Sequence, residues 1–430
     1  MKHLPPSVAA LGIAMLTVSA AAEDWPQFRG PTGQGVSSEK NLPAKWSTTK
    51  NVAWQVTVPG RGWSSPIVHK GRIYLTTAVK PDDAAGNDRS LRAICLDAKT
   101  GKTIWNNEVF FQKDGDVERI HGKNSFASPT PLTDGRHLFV HFGPQGTACL
   151  TLDGKPVWKT KIKYSPRHGS GNSPILVDGV LDASTPAHPS RAGVLFFSCD
   201  GTSEPFVVAL NAGDGTVAWK RDRPGVDDVK TFSFATALSI EAGGKRQIVS
   251  PATGQVVAYE PKTGRELWKV KYSGFSVIPR PVYAHGLVFL STSYMSPKVL
   301  AISPTGSGDV TDSHLKWSIA RGAPNTPSTL VVGDELYFLS DRGTATCVDA
   351  KSGKVHWQQR IGGNYSASPV FADGRIYFHS EQGDTIVIKP GKEYRELAKN
   401  SLGERSLASF AVADGALFIR TETKLYRVQK

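Results

Sequence analysis

Cysteine is scarce in this chain of 430 residues: there are four, none adjacent to another and none in a Cys-x-x-Cys spacing. That removes the sequence signatures of a zinc site, a redox-active dithiol and an attached haem. Beyond the N-terminal region no apolar run is long enough to cross a bilayer as a helix, so no membrane span is expected. Helical periodicity is nearly missing; only Lys392 to Lys399 is compatible with a helical turn. No Gly-x-Ser-x-Gly elbow and no His-Glu-x-x-His pair occurs. Thr100-Gly101-Lys102-Thr103 imitates the end of a phosphate-binding loop, but Leu96 stands where its first glycine should be. His137 and His141 share one strand face about 13 Å apart, too far for one metal, and no metal site is expected. Acidic residues number 38 against 51 Lys and Arg, a net charge of +13. The excess is scattered and forms no basic stripe with stacking aromatics, which argues against a nucleic-acid partner.

What the chain does have is a phrase it repeats. Asp97-Ala98-Lys99-Thr100-Gly101-Lys102-Thr103-Ile104-Trp105 returns as 211–219, 260–268 and 349–357. An acidic residue or Asn stands eight places before each Trp and a Gly four before it. This is a β-hairpin: Asp or Asn can bond the turn backbone, Gly supplies the positive φ, and Trp ends a short strand. Degenerate copies end at Trp158 and Trp317. A second phrase begins at Ser65-Pro66 and recurs at Ser128-Pro129, Ser173-Pro174, Thr326-Pro327 and Ser368-Pro369, with weaker versions at Thr236, Arg280 and Ser409. Pro opens a strand at little cost because its first residue need not donate to a ladder.

Together the phrases give eight units of four antiparallel strands, A to D, with strand D carrying Trp. Repetition at this spacing predicts an all-β fold, an eight-bladed β-propeller. The last unit lacks its Trp strand, and Asn51 to Val58 is a Trp strand without a unit. Trp54 is therefore expected to complete the last blade and close the ring, removing two exposed sheet edges. Trp54, Trp105, Trp158, Trp219, Trp268, Trp317 and Trp357 are expected to dock blade on blade, with Trp105, Trp219, Trp268 and Trp357 buried between blades.

Lys2 and His3, the apolar run Val8 to Val18 and Ala20-Ala21-Ala22 describe a secretory leader, residues 1–22, and a periplasmic or secreted, monomeric product. No Cys near the cleavage point offers a lipid anchor. Residues 23–50 precede the repeats, which fill 51–430. Their removal is expected to be milder than removal through Val58. The four cysteines are expected as small buried thiols.

Asp-x-x-Thr-Gly-x-x-x-Trp and Ser-Pro-x-x-x-x-Gly-x-x-Tyr resemble the PQQ-like β-propeller repeats of quinoprotein alcohol dehydrogenases and BamB-type outer-membrane assembly propellers. The stretch Asp24 to Gly35 is similar to the opening of exported PQQ-like proteins of planctomycete-type bacteria. The dehydrogenase branch implies an adjacent Cys pair against a quinone and a calcium held by Glu, Asn and Asp. Neither can be placed here, so no cofactor is expected, with PQQ and calcium as the alternative.

The candidate site is a place, the ring mouth where D–A and B–C loops emerge. The D–A loops bring Arg61, Trp63, His121, Asn124, Arg167 and His168, then Arg280, Asn325, Asn364, Tyr365 and Arg405; the B–C loops add Asp200, Arg342 and Glu381. Arginine forks suit carboxylate or sulfate. A binding module for a protein or an anionic envelope glycan is the leading reading, with no catalytic residue assigned. A quinoprotein-like oxidoreductase is the alternative, and a glycan-acting enzyme would need paired carboxylates such as Asp200 and Glu381.

Overall fold

The computed structural model describes residues 23–430 except 83–85, 87, 117–119, 179–192, 203 and 225–229, so the expected leader lies outside the described residues. Eight sheets follow one another around a ring. Blade 1 is Ile67–His69, Arg72–Val79, Arg89–Asp97 and Thr103–Gln112. Blades 2 to 7 occupy 132–160, 175–222, 238–271, 282–319, 330–360 and 370–401. Blade 8 takes three strands from 411–428 and its fourth from Val52–Thr57, which pairs antiparallel with Lys424–Val428. The ring is closed by its two ends, as the orphan Trp strand required.

The repeated phrase folds as a hairpin for local reasons. Asp97 Oδ1 accepts from both the Thr100 backbone and hydroxyl at 2.7 Å, and Asp349 does the same for Ser352 at 2.8 and 2.7 Å. In every blade the C–D register slips by one residue beside the Trp position. Opposite the indole stands a small residue in most blades: Cys95, Cys149, Ala209, Ala258, Ala301 or Cys347. The bulge turns the ring away from its own sheet and toward the next. All four cysteines are free and buried, and burial pushes the thiols of Cys95, Cys149 and Cys347 up to about 12.

The Trp and the Gly of the phrase meet across the blade junction. Gly101 lies on Trp54, Gly154 on Trp105, Gly215 on Trp158, Gly264 on Trp219 and Gly353 on Trp317, each so close that a Cβ would collide with the ring. The indole N–H then donates to a carbonyl of the same turn, as Trp105 to Leu152 at 3.1 Å and Trp158 to Ala212 at 2.9 Å. Trp54, Trp219, Trp317 and Trp357 do likewise with Ala98, Pro261, Ala350 and Gly391.

Two expectations need correction. Trp219 and Trp268 are buried as expected, but Trp105 and Trp357 are only half-buried, like Trp54, Trp158 and Trp317. Trp268 turns to Gln247 of its own blade at 2.7 Å. The next blade's turn is enlarged there: Gly308–Asp309 adds a parallel fifth strand to blade 4, followed by the helix Thr311–His314. The helical turn expected at 392–399 is absent, since Glu396–Ser401 is strand D of blade 7. Among the described residues no helix is long and apolar enough to cross a membrane.

Residues 24–46 are not a dispensable lead-in. They cross the A–B-turn face of the ring as a plug with Trp25, Arg29, Leu42 and Trp46 buried. The plug bonds six blades. Asp24 takes the His69 ring and the Lys70 backbone of blade 1 at 2.6 and 2.9 Å, and Pro26 accepts from Thr133 of blade 2. Gln34 accepts from Tyr283 of blade 5, and Arg29 donates to Thr329 of blade 6. Gly35 and Ser37 pair with Phe371 of blade 7, and Glu39 accepts from Gly415 of blade 8. This burial argues against the expected mildness of losing 23–50.

Candidate functional site

Just before strand A stands a hydroxyl residue in seven blades, and Arg280 takes that place in blade 5. Ser65 N–H donates to Thr130 Oγ1, Thr130 to Ser173, and Ser173 to Thr236, each at 2.9 Å. On the far side Arg280 donates to Ser328 at 2.9 Å, Ser328 to Ser368 at 3.1 Å, Ser368 to Ser409 at 2.9 Å, and Ser409 to Ser65 at 3.2 Å. This belt satisfies buried backbone N–H groups that no ladder reaches. Its members in blades 2 and 6 are Thr130 and Ser328, two residues beyond the Ser128 and Thr326 that open the sequence phrase. Those two hydroxyls are spent inside loops, Ser128 on Asn124 Oδ1 at 2.5 Å and Thr326 on Asp341 at 2.6 Å.

Above the belt opens a cavity of about 380 Å³, floored by the belt and by Phe28 of the plug. Its wall is an aromatic arc over four successive blade junctions. His121 meets His168 at 5.7 Å, His168 meets Phe232 at 5.6 Å, Phe232 meets Phe275 at 5.9 Å, and Phe275 meets Tyr294 at 6.3 Å. The first three contacts are edge-to-face, the geometry ring quadrupoles favour. Cations lie over this wall: Arg167 at 5.8 Å from Phe232 and Lys230 at 4.2 Å from Phe275. Trp63 stands apart, with Arg61 at 5.8 Å and Arg405 at 5.4 Å from its ring.

Among the described residues, the carboxylates Glu381, Glu422 and Asp341 of the mouth are committed to neighbours. Glu381 bonds Lys123 at 2.7 Å and Ser366 at 2.6 Å. Glu422 lies 3.8 Å from Arg61 and 3.6 Å from Arg405. Asp341 holds the Asn325 backbone and Thr326 at 2.6 Å each. Arg167 and Lys230 have no carboxylate partner among the described residues.

Of the residues expected at the mouth, Trp63, His121, Asn124 and His168 line the cavity. Asn124 is fully engaged in holding it, donating to His168 O at 2.8 Å while Oδ1 accepts from Ser125 and Ser128. Arg61, Arg167 and Arg405 stack on its aromatic residues, while Arg342 and Asn364 are exposed and do not line it. Three placements are corrected. Asp200 is buried in an ion pair with Arg223, whose guanidinium also reaches Ser250 of the next blade at 2.7 Å. Burial pushes the Asp200 carboxyl up to about 6 against the pull of Arg223, so the pair braces two blades and offers nothing to a ligand. Tyr365 is 1% exposed and belongs to the core between blades 6 and 7. Arg280 is 2% exposed and points down through the belt, donating to Ala237 O at 3.0 Å and Phe28 O at 2.6 Å. Phe28 and Tyr294 were missed, because one arrives from outside the repeats and the other from a B–C loop without a repeated signal.

The comparisons with known proteins agree with this geometry at the level of fold. The tetrathionate hydrolase of Acidithiobacillus ferrooxidans is 22% identical over 67% of this chain, which spans about half of it, 51%. The outer membrane protein assembly factor BamB of Yersinia pestis is 23% identical over 61% of this chain and 68% of its own length. Among solved structures, a quinohemoprotein alcohol dehydrogenase of Pseudomonas putida HK5 superposes with a TM-score of 0.61 at 11% identity, covering 94% of this chain and 80% of that one. BamB of Moraxella catarrhalis superposes with 0.53 at 11% identity, over 82% and 99%. The family model described as outer membrane protein assembly factor BamB matches residues 35–186 and 203–430, and the chain belongs to that family.

Proposed function

We propose that this propeller is an exported, non-catalytic binding module that receives an acidic segment of a partner protein in the mouth. One observation carries the reading: an aromatic wall bears Arg167 and Lys230, cations without a carboxylate partner among the described residues, while Glu381 and Glu422 are bound to other groups. Such a wall offers apolar area for a side chain and charge for a carboxylate on the same strip. The family's printed role in outer membrane protein assembly supports a protein partner and a periplasmic setting.

The oxidoreductase reading draws on the quinohemoprotein superposition. It has less support from the residues. The carboxylates that would hold a calcium ion beside a quinone bind Lys123, Arg223, Thr326 or the two rim arginines, and the cysteines lie in strands B and C. No redox step is therefore assigned to this chain.

The test is site-specific photocrosslinking in cells from Arg167 and Phe275 at the mouth against Lys102 and Lys354 in the C–D turns. Crosslinks to a protein from the mouth positions alone are expected. Equal yield from the C–D turns overturns the assignment. Turnover of an alcohol by the purified chain with added quinone favours the second reading.

A further inference from the structure

Below the hydroxyl belt two arginines are buried side by side without an acid. Arg29 is 1% exposed and Arg280 is 2% exposed. Each feels only loss of hydration, Arg29 also the repulsion of Arg280, and both guanidinium groups are pulled down to about 9. Among the described residues neither has a carboxylate partner. Arg280 spends two nitrogens on the carbonyls of Ala237 and Phe28, and Arg29 spends Nη2 on Gln34 O at 2.8 Å and Thr329 O at 2.9 Å. Arg29 Nε and Nη1 have no acceptor, and neither does the hydroxyl of Thr329, a residue with no exposed surface. Buried charge without a counter-charge is among the most costly arrangements a protein can hold, and unfilled donors add to it.

The backbone around these groups is shaped for them. Gly33 and Gly35 both have positive φ, +71° and +81°. A Cβ on Gly33 would lie 2.6 Å from the Arg280 guanidinium carbon, and one on Gly35 2.6 Å from Arg29 Nη2. The plug is thus laid flat over both guanidinium planes, as a scaffold that fixes them in place would be. A second cavity of about 350 Å³ lies to one side, lined by Gln27 and Gln34 of the plug with Arg280 and Tyr283, and neither Arg29 nor Thr329 borders it.

We propose that a small inorganic anion binds here, held by Arg29 Nε and Nη1 and by the Thr329 hydroxyl, with Arg280 as the second positive charge. The missing partner is an acceptor, it must be negative to offset two buried charges, and it must be small because the plug covers it. The anion locks the plug to blades 5 and 6, so it supports the closed lower end and takes no part in the mouth.

Bromide is the probe. Crystals of the full mature chain soaked in sodium bromide are expected to show an anomalous peak within hydrogen-bond distance of Arg29 Nε and Nη1. In solution, Tm is expected to rise with bromide at constant ionic strength when bromide replaces gluconate, which is too bulky to enter. Thr329→Val keeps the side-chain shape and loses one bond to a charged partner, so half-saturation moves to about tenfold higher bromide. Arg29→Met is expected to abolish the bromide response; if it does not fold, the soak and Thr329→Val still decide. A water without anomalous signal, or a carboxylate of the chain itself at that point, overturns the proposal. So does a Tm that follows ionic strength alone.

Discussion

The two ends of the propeller axis are the two ends of the A strands, and they finish differently. At the upper end loops tie their own carboxylates to nearby donors and leave a ring-lined cup facing solvent. At the lower end a segment from outside the repeats crosses under the ring, and its large side chains are buried. Arg280 shows the contrast within one residue: it leaves a mouth loop, yet its side chain serves the plug. A cup whose wall is secured independently of its contents can accept a ligand without refolding, whereas the plug is part of the fold. Stability and binding should therefore separate by end.

The strongest test of that separation is truncation. Removing residues through Val58 deletes the plug and the strand that closes blade 8, exposing a sheet edge. We expect aggregation or loss of the cooperative melt, read by size exclusion and thermal denaturation; a monomer with unchanged Tm would break the comparison. Next in size, Trp25→Ala empties a fully buried site and should cost about 3–5 kcal/mol in denaturant unfolding. A loss below about 1 kcal/mol would mean that the plug merely rests on the ring.

Acid sharpens the contrast between interior and mouth. His141 and His379 occupy like positions at the ends of strand B in blades 2 and 7, each bonded to a threonine, at 2.8 Å to Thr147 and 2.9 Å to Thr385. Burial lowers their pKa to about 3 and about 4. The unfolded chain takes up protons near pH 6.5 that the folded chain refuses, so stability falls as pH drops below that value. At pH 5 each residue should cost about 2 kcal/mol relative to pH 7. His141→Gln and His379→Gln should flatten the pH dependence of unfolding, with His121→Gln at the exposed mouth as the control. An unaltered slope in the two buried variants would contradict this account.

The smallest effect on stability belongs to the mouth. Arg167→Ala together with Lys230→Ala should shift unfolding by less than about 1 kcal/mol while weakening partner capture several-fold. If these changes unfold the protein, the rim is structural and the functional assignment falls.

Much of the fold was legible because each blade obeys the same local rules. The Asp and Thr of the phrase build the turn within a few residues, and Trp at a fixed offset meets the next blade's turn glycine at five junctions. What the phrase could not show is that its Gly and its Trp serve different partners: Gly101 receives Trp54, and Trp105 rests on Gly154. The candidate site was legible only as a region. Trp63, His121 and His168 were read in the right loops, but Asp200, Tyr365 and Arg280 carry the same residue types and face inward.

The sequence by itself determined the blade, the blade count and the closure, since these rest on short-range hairpins and on a last unit short of one strand matched by one orphan strand near the start. Only the tertiary structure decided which polar loop residues face the cavity, where Phe28 ends up, and that residues 24–46 seal the lower end. Those outcomes depend on contacts between residues far apart in the chain, such as Gly415 with Glu39, 376 positions away. A local pattern carries no record of which distant surface will cover it.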